Sequence, residues 1–349
     1  MNTETQSLFE KVYQGDTLTR HESTEIFSAI IKGDIDEASL AGLLTALKIR
    51  GETVEEICGA ADASLAAAKP FPYEASEELI DLVGTGGDGY NTINISTTAA
   101  FVAAAAGAKV AKHGSRSVSS KSGSSDLLSH LGVDITMSPE SASKSLNDNH
   151  ICFLFAPHYH GGFKHAVPVR QALKTRTLFN ILGPLINPSR PDYMLLGVYS
   201  PDLIDPIASV LNSMGVKRAM VVHGSGLDEV AVHGTTQVTE INNGEFNRYQ
   251  LTPKDFGITT AYSIEALTGG TPEENAVITT AILQGKGQEA HTYAVAVNAA
   301  CALYICGKAD NIQAATQLAL DTIKSGSPFQ KLTQLAAASA CKDSSGDSK

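Results

Sequence analysis

The chain has 349 residues, with 26 lysines and arginines against 37 aspartates and glutamates, and a formal net charge of −11. This balance argues against a general binder of nucleic acid or of anionic membranes, because both attract an excess of basic side chains. Hydrophobic residues make up 43% and charged residues 18%, which excludes a disordered chain and predicts a buried core. The length favours two domains, with one as the alternative.

The N-terminus has no apolar core of signal-peptide length, and the apolar runs at 99–106 and 294–306 are too short or too polar to cross a bilayer. The five cysteines lack the spacing of a metal site and indicate reduced thiols. We therefore expect a soluble cytoplasmic protein with no membrane partner.

The first 70 residues predict helices, because apolar residues recur there at spacings of three and four. Capping boxes that begin at Thr19 and Thr53 mark two helix starts, and Gly33 and Gly51 mark two helix ends. The proline-containing segment 69–72 cannot continue a helix and is predicted to be a linker.

Beyond the linker, short apolar runs alternate with helical segments. A strand at 79–83, a glycine-rich turn, a helix at about 96–106 and a strand at 109–112 form one β-α-β unit. Further strands are predicted at 151–155, 194–198 and 219–222, and a hairpin at 237–241 and 246–251. The fold class is therefore α/β, with a small N-terminal helical domain and a larger domain around a mixed, mostly parallel central sheet.

The sequence GTGGDG at 84–89 matches the GxGxxG pattern after a strand, but the rest of the dinucleotide fingerprint fails. The helix begins several residues later, and Lys112-His113 stands where an acid should hold a ribose. A Walker A motif is also missing, since no Gly-Lys-Ser or Gly-Lys-Thr follows. What remains is a turn whose backbone N–H groups suit a phosphate and whose Asp88 suits a ribose or a hydrated metal; an ordinary tight turn is the alternative.

No acid occurs at 89–125 or at 149–191, and these windows hold cations at Lys109, Lys112, Arg116, Lys121, Lys164, Arg170, Lys174, Arg176 and Arg190. The serine-rich segment 112–126 suits phosphate or pyrophosphate, with a solvated loop as the alternative. Hydroxyls at 96–98 stand at a helix start, where an anion is favoured and where ordinary capping is the alternative.

The adjacent carboxylates Asp228 and Glu229 follow a predicted strand and a glycine-containing turn. From a loop both carboxylates can reach one metal, and their hard oxygens suit Mg²⁺; surface charge is the alternative. The spacing of His113, His223 and His233 matches no zinc site, and no Ser-His-Asp triad is recognisable.

As an ordered set, these motifs resemble the anthranilate phosphoribosyltransferase family over nearly the whole chain. The motifs are GTGGDG (84–89), NIST (94–97), KHG-R-V-SKSG-SD (112–126), FAP-YH (155–160), Arg170, RTLFNILGPLINP (176–188) and VHG-GLDE (223–229). The resemblance implies transfer of the 5-phosphoribosyl group of 5-phosphoribosyl 1-pyrophosphate (PRPP) to anthranilate, giving N-(5-phosphoribosyl)anthranilate and pyrophosphate in tryptophan biosynthesis. It also implies a homodimer, with a helical domain of residues 1–70 and helices from about 163–190, hinged to an α/β domain of residues 71–349.

The resemblance also implies site residues. PRPP contacts fall on Gly84, Gly87, Asp88, Thr92, Asn94, Ser96, Thr97, Lys112, His113, Gly114, Ser115, Arg116, Ser117, Val118, Ser119, Ser120 and Ser124. Anthranilate contacts fall on Gly84, Ser115, His160 and Arg170, with Arg170 pairing with the carboxylate and His160 lining the channel. Two Mg²⁺ ions would be held by Ser96, Asp228 and Glu229. No acid or base is assigned; Lys112, Arg116 and Lys121 are expected to stabilise the departing pyrophosphate electrostatically.

Two departures from the family pattern bear on anthranilate recognition. Ser115 stands where the family usually has Asn, and Gly161-Gly162 stands where many members have Pro-Ala. One alternative is a pyrimidine nucleoside phosphorylase-like enzyme, which the GLDE and LGPLINP motifs fit poorly. Another is a non-catalytic nucleic-acid-binding paralogue, which the negative net charge and the intact Asp-Glu pair disfavour.

Overall fold

Four helices open the chain in a computed structural model that describes residues 3–74, 77–116 and 121–340. They are α1 (Thr3–Tyr13), α2 (Arg20–Lys32), α3 (Glu37–Arg50) and α4 (Val54–Ala66). Both predicted capping boxes form, because Thr19 and Thr53 each accept from the backbone three residues on. Gly33 ends α2 in the left-handed region, with φ of 82°, and Gly51 follows α3.

Seven strands form one mixed sheet, which confirms the predicted fold class. The strands are β1 (Ile80–Gly84), β2 (Val110–Gly114), β3 (Ile151–Phe155), β4 (Tyr193–Gly197), β5 (Arg218–Gly224), β6 (Thr236–Asn242) and β7 (Glu245–Leu251). Their order is β3-β2-β1-β4-β5-β6-β7; β1 to β5 are parallel, and β6 and β7 are antiparallel. The first crossovers run to one side of β1 and β4 lies on the other, so a topological switch point falls between β1 and β4.

Helices cover both faces of the sheet. They are α5 (Ile95–Ala105), α6 (Ser124–His130), α7 (Pro139–Asn149), α8 (Ala156–Tyr159), α9 (Val167–Leu173), α10 (Phe179–Leu185), α11 (Ile204–Ser213), α12 (Pro272–Leu283), α13 (Glu289–Ile305), α14 (Ile312–Ser325) and α15 (Ser327–Ala340). Short 3₁₀ helices lie at Gly161–His165, Pro201–Leu203, Pro253–Phe256 and Ile264–Leu267. Among these described residues, no helix combines the length and apolar character needed to cross a membrane.

Two hydrophobic cores lie on opposite faces of the sheet. Side chains alternate along β4, so Leu195 faces the core around α5 and α13, while Met194 and Leu196 face a second core. The second core continues into α1 to α4 and includes apolar residues of α9, α10 and α11. The α/β sheet and the helical bundle therefore share buried surface through these connecting helices.

Two contacts fix the helical bundle locally. The carboxylate of Glu56 is fully buried, pairs with Arg50 and accepts from the backbone N–H of Leu18, so its charge is compensated inside the bundle. Segment 161–165 packs on the end of α2 so closely that a Cβ at Gly162 would lie 2.7 Å from the Ile31 carbonyl oxygen. Only glycine fits at position 162 without a backbone shift.

Candidate active site

The glycine-rich turn and the acidic pair meet at the switch point, beyond the carboxyl ends of β1, β4 and β5. Gly84 and Gly197 are paired in register at the ends of β1 and β4. A Cβ at Gly84 would lie 2.8 Å from Asp228 Cγ, and a Cβ at Gly197 would collide with the Asp228 backbone. The two glycines therefore let the Asp228 segment rest directly on the sheet, and the backbone N–H of Gly86 donates to its carboxylate.

The acidic pair is held in a low-dielectric position. Burial raises the pKa of Asp228, and the neighbouring Asp88 carboxylate adds to the rise. Burial also raises the pKa of Glu229, as does Asp228, while Lys112 opposes the shift. The backbone N–H of Ser96 donates to Glu229 across 3.1 Å. The start of α5 and the acidic pair are thus in direct contact.

These residues fit a magnesium ion. Their donors are hard oxygens, and the charged form that burial and mutual repulsion destabilise is the form that a divalent cation stabilises. Among the described residues, no group of three His, Cys, Asp or Glu side chains is arranged to hold a metal. Mg²⁺ is commonly bound by one or two carboxylates together with substrate phosphates, which matches this set.

The structure buries the side chains of Lys112 and His113 against the two faces of the sheet, while their contact with PRPP stays a prediction. Lys112 lies on β2, and its ammonium donates to the Leu82 carbonyl across 2.6 Å; burial lowers its pKa. The His113 ring is 2% exposed and contacts the Gly183 carbonyl, and burial lowers its pKa to about 3. Both side chains are buried because β2 has helices on both of its faces.

The side chain of His160 is also buried, and its place beside anthranilate stays a prediction. Its ring is 5% exposed, lies 2.9 Å from the Ile186 carbonyl through Nε2, and packs edge-on against His113 at 5.4 Å between centroids. Burial lowers its pKa. The ring therefore packs between β2 and the segment after α10, and does not face an open channel.

The described part of the serine-rich segment contacts the start of α5. The Asn94 amide donates to the Ser122 carbonyl across 3.0 Å, and Ser124 Oγ donates to the Ser115 carbonyl across 3.2 Å. Arg116 and Lys121 are exposed at the edges of the described stretches. Ser117, Val118, Ser119 and Ser120 lie outside the described residues.

The remaining predicted contacts lie along the same edge of the sheet. Thr92 pairs with Thr268 in an isolated bridge, and Thr97 is buried in the first turn of α5. Gly87 has a φ of 78°, and its carbonyl accepts from Arg176. Arg176 stacks 4.0 Å from the Tyr199 ring centroid. The sequence offered Arg176 as a cation of the acid-free window and as the first residue of the RTLFNILGPLINP motif, but assigned it no contact to the glycine turn.

Arg170 lies on α9, half-buried, with its guanidinium 5.6 Å from the centroid of the Phe179 ring. Burial alone lowers its pKa. Within the described residues, no carboxylate lies at ion-pair distance from it. A partly desolvated guanidinium without a counter-charge is suited to a ligand carboxylate.

Comparison with known proteins agrees with this architecture. The model of the glycosyl transferase family helical bundle domain matches residues 6–68, and that of the glycosyl transferase family a/b domain matches residues 76–329. The chain is therefore a member of this glycosyl transferase family, whose two domains correspond to the helical bundle and the α/β sheet.

Individual relatives narrow the class. Anthranilate phosphoribosyltransferase of Shewanella sp. (strain MR-7) is 66% identical, covering 97% of this chain and 98% of its own. The crystal structure of the Thermus thermophilus enzyme has a TM-score of 0.91 at 40% identity, covering 96% of this chain and 99% of its own. The Saccharomyces cerevisiae enzyme in complex with PRPP and Mg has a TM-score of 0.88 at 29% identity, covering 97% and 98%. The chain belongs to the anthranilate phosphoribosyltransferases, and neither alternative from the sequence is supported.

Proposed function

We propose that the protein transfers the 5-phosphoribosyl group from PRPP to anthranilate, with Mg²⁺, in tryptophan biosynthesis. The observation that carries this proposal is the contact of Asp228 with the paired glycines Gly84 and Gly197, which joins a phosphate-binding turn to a metal-binding acid pair. The yeast relative in complex with PRPP and Mg supports the donor and the metal, and its complex with 4-fluoroanthranilate supports the acceptor class.

On the PRPP side, backbone N–H groups of the glycine turn and the hydroxyls of Ser96 and Thr97 bind the phosphates, and Asp88 orients the ribose. Arg116 and Lys121 stabilise the charge that develops on pyrophosphate. Lys112 contributes positive potential from within the sheet, beneath the turn. Asp228, Glu229 and Ser96 would hold two Mg²⁺ ions, which when bound neutralise charge on the pyrophosphate.

On the acceptor side, the anthranilate amine attacks C1 of the ribose, the C1–O bond to pyrophosphate breaks, and its electron pair leaves with the pyrophosphate. The nitrogen, which becomes positively charged on attack, then loses one proton to water, and the product contains a neutral secondary amine. An aniline amine is unprotonated at neutral pH, so a strong general base is not needed before attack. Arg170 pairs with the anthranilate carboxylate and sets the direction of approach, beside Gly84 and Ser115.

The test is to follow anthranilate fluorescence with the purified protein, PRPP and Mg²⁺. Consumption that needs all three components supports the proposal; no consumption under these conditions refutes it. We further propose that the protein is cytoplasmic and forms a homodimer. Light scattering after size exclusion tests the dimer, and a monomeric mass at micromolar concentration would contradict it.

A further inference from the structure

Asn275, a buried asparagine on α12, is hydrogen-bonded to Asn94 in the proposed PRPP site. It lies outside every motif that the sequence analysis named. Asn275 is 1% exposed. Its Oδ1 accepts from the backbone N–H of Gly270 across 2.8 Å, and its Nδ2 donates to Asn94 Oδ1 across 2.8 Å. Asn94 in turn donates through Nδ2 to the Ser122 carbonyl, while Ser122 Oγ donates back to Asn94 Oδ1 across 3.1 Å.

The direction of this chain of hydrogen bonds is fixed at both ends by the backbone. The Gly270 N–H can only donate, so the oxygen of the Asn275 amide must face it and the NH₂ group must face Asn94. The Ser122 carbonyl can only accept, so the Asn94 NH₂ group must face it. One amide orientation of each asparagine satisfies all of these bonds, and no hydrogen bond of the second Asn94 N–H occurs among the described residues.

The segment just before α12 also forms backbone hydrogen bonds with the segment just before Asn94. Gly269 donates to the Asn91 carbonyl across 2.8 Å, and Ile93 donates to the Leu267 carbonyl across 3.1 Å. Residues 91–93 and 267–269 are therefore paired, and Asn275 extends that pairing to Asn94 and to segment 121–124. The buried Asn275 side chain thus joins the loop at 267–270 to Asn94, which lies far from it in sequence.

We infer that Asn275 is a positioning residue for PRPP, an inference that rests on the proposed function. Asn275 acts through Asn94. It orients the Asn94 amide, and that amide holds segment 121–124 against the start of α5. Without the Asn275 donor, the Asn94 amide can rotate, and its second N–H and segment 121–124 lose their fixed places. PRPP binding should weaken, while the anthranilate contacts should be largely unaffected.

The test compares Asn275→Asp with a matched control on the same helix. Aspartate keeps an acceptor for Gly270 but has no N–H for Asn94. Thr279→Val removes a 3.1 Å hydrogen bond to Thr98 from a residue that is also 1% exposed, one turn further along α12. We expect Asn275→Asp to raise the PRPP KM about tenfold or more, with the anthranilate KM within about twofold of wild type. Thr279→Val should lower the melting temperature and leave both KM values unchanged.

A double-mutant cycle separates action through Asn94 from a general loss of packing. If Asn275 acts through Asn94, then Asn275→Ala should add little to the PRPP KM of Asn94→Ala. Additive effects, an unchanged PRPP KM in Asn275→Asp, or equal KM changes in Thr279→Val would overturn the inference. So would failure of both Asn275 variants to fold while Thr279→Val folds, since the residue would then be a folding requirement.

The rise in melting temperature on adding PRPP and Mg²⁺ measures PRPP binding without turnover. It therefore tests the inference on Asn275 separately from the proposed reaction. If the wild type consumes no anthranilate but is stabilised by PRPP, the proposed reaction fails. The inference on Asn275 then stands or falls on whether Asn275→Asp loses that stabilisation. If PRPP does not stabilise the wild type at all, both fail.

Discussion

Replacing Arg170 with alanine should weaken anthranilate binding selectively. The guanidinium is half-buried over Phe179 and free of carboxylates within the described residues, so a bound anthranilate carboxylate would supply its charged partner. Loss of hydrogen bonds between charged groups costs about 1.5–3 kcal/mol. At about 1.4 kcal/mol per factor of ten, the anthranilate KM should rise about 10- to 150-fold.

The assay is initial-rate fluorescence of anthranilate consumption with each substrate varied in turn. Lys164→Ala is the matched control, because it removes an exposed cation from the same acid-free window. Arg170→Lys should fall between wild type and Arg170→Ala, since it keeps the charge and loses the planar fork. Stability should change by only about 1 kcal/mol, the scale of a cation–π contact. A comparable rise in the PRPP KM, or the same effect from Lys164→Ala, would refute the role.

Three further outcomes follow from the buried groups. Burial raises the pKa of Asp228 from 3.8 to about 7 and of Glu229 from 4.5 to about 8, so the folded state binds more protons than the unfolded chain. Without Mg²⁺ the melting temperature of the wild type should therefore fall, relative to that of an Asp228→Asn, Glu229→Gln variant, as pH rises from about 4 to about 8. The comparison cancels the opposite pH dependence of buried His113 and His160, and no difference between the two proteins would contradict the burial of the pair. Gly84→Ala should displace Asp228 and cut turnover about a hundredfold, whereas Gly183→Ala, with open space around its Cβ, should retain activity. Arg50→Met should destabilise the protein by about 3 kcal/mol with substrate KM values unchanged, because it leaves a buried glutamate unpaired; unfolding in urea measures the loss.

Local chemistry made most of the fold predictable. The capping boxes at Thr19 and Thr53 and the stops at Gly33 and Gly51 use bonds within one or two turns, so they are legible in the sequence. The hairpin around 242–245 is legible for the same reason. Strand ends moved by one or two residues, as for β2, because the parallel register with β3 continues to Gly114.

That extension of β2 explains why Lys112 and His113 are more buried than the sequence indicated. The Lys-His-Gly motif was predicted as the end of a strand and the start of a phosphate loop, but Lys112 and His113 are strand residues buried on opposite faces. Gly197 and Asn275 carry no local signal. Their roles depend on strand register and on contacts between segments distant in the chain, which one sequence does not display.

The tight approach of Gly162 to Ile31 has a consequence for substitutions at position 162. The Pro-Ala found in many relatives cannot simply be transplanted to positions 161 and 162, because the second residue would need space that α2 occupies. Position 162 is tied to the backbone of α2, far earlier in the chain, because every residue at position 31 keeps the carbonyl oxygen that a Cβ at 162 would meet. A side chain at position 162 should therefore shift α2 in the helical bundle, which is distant in sequence from the glycine turn and the acidic pair.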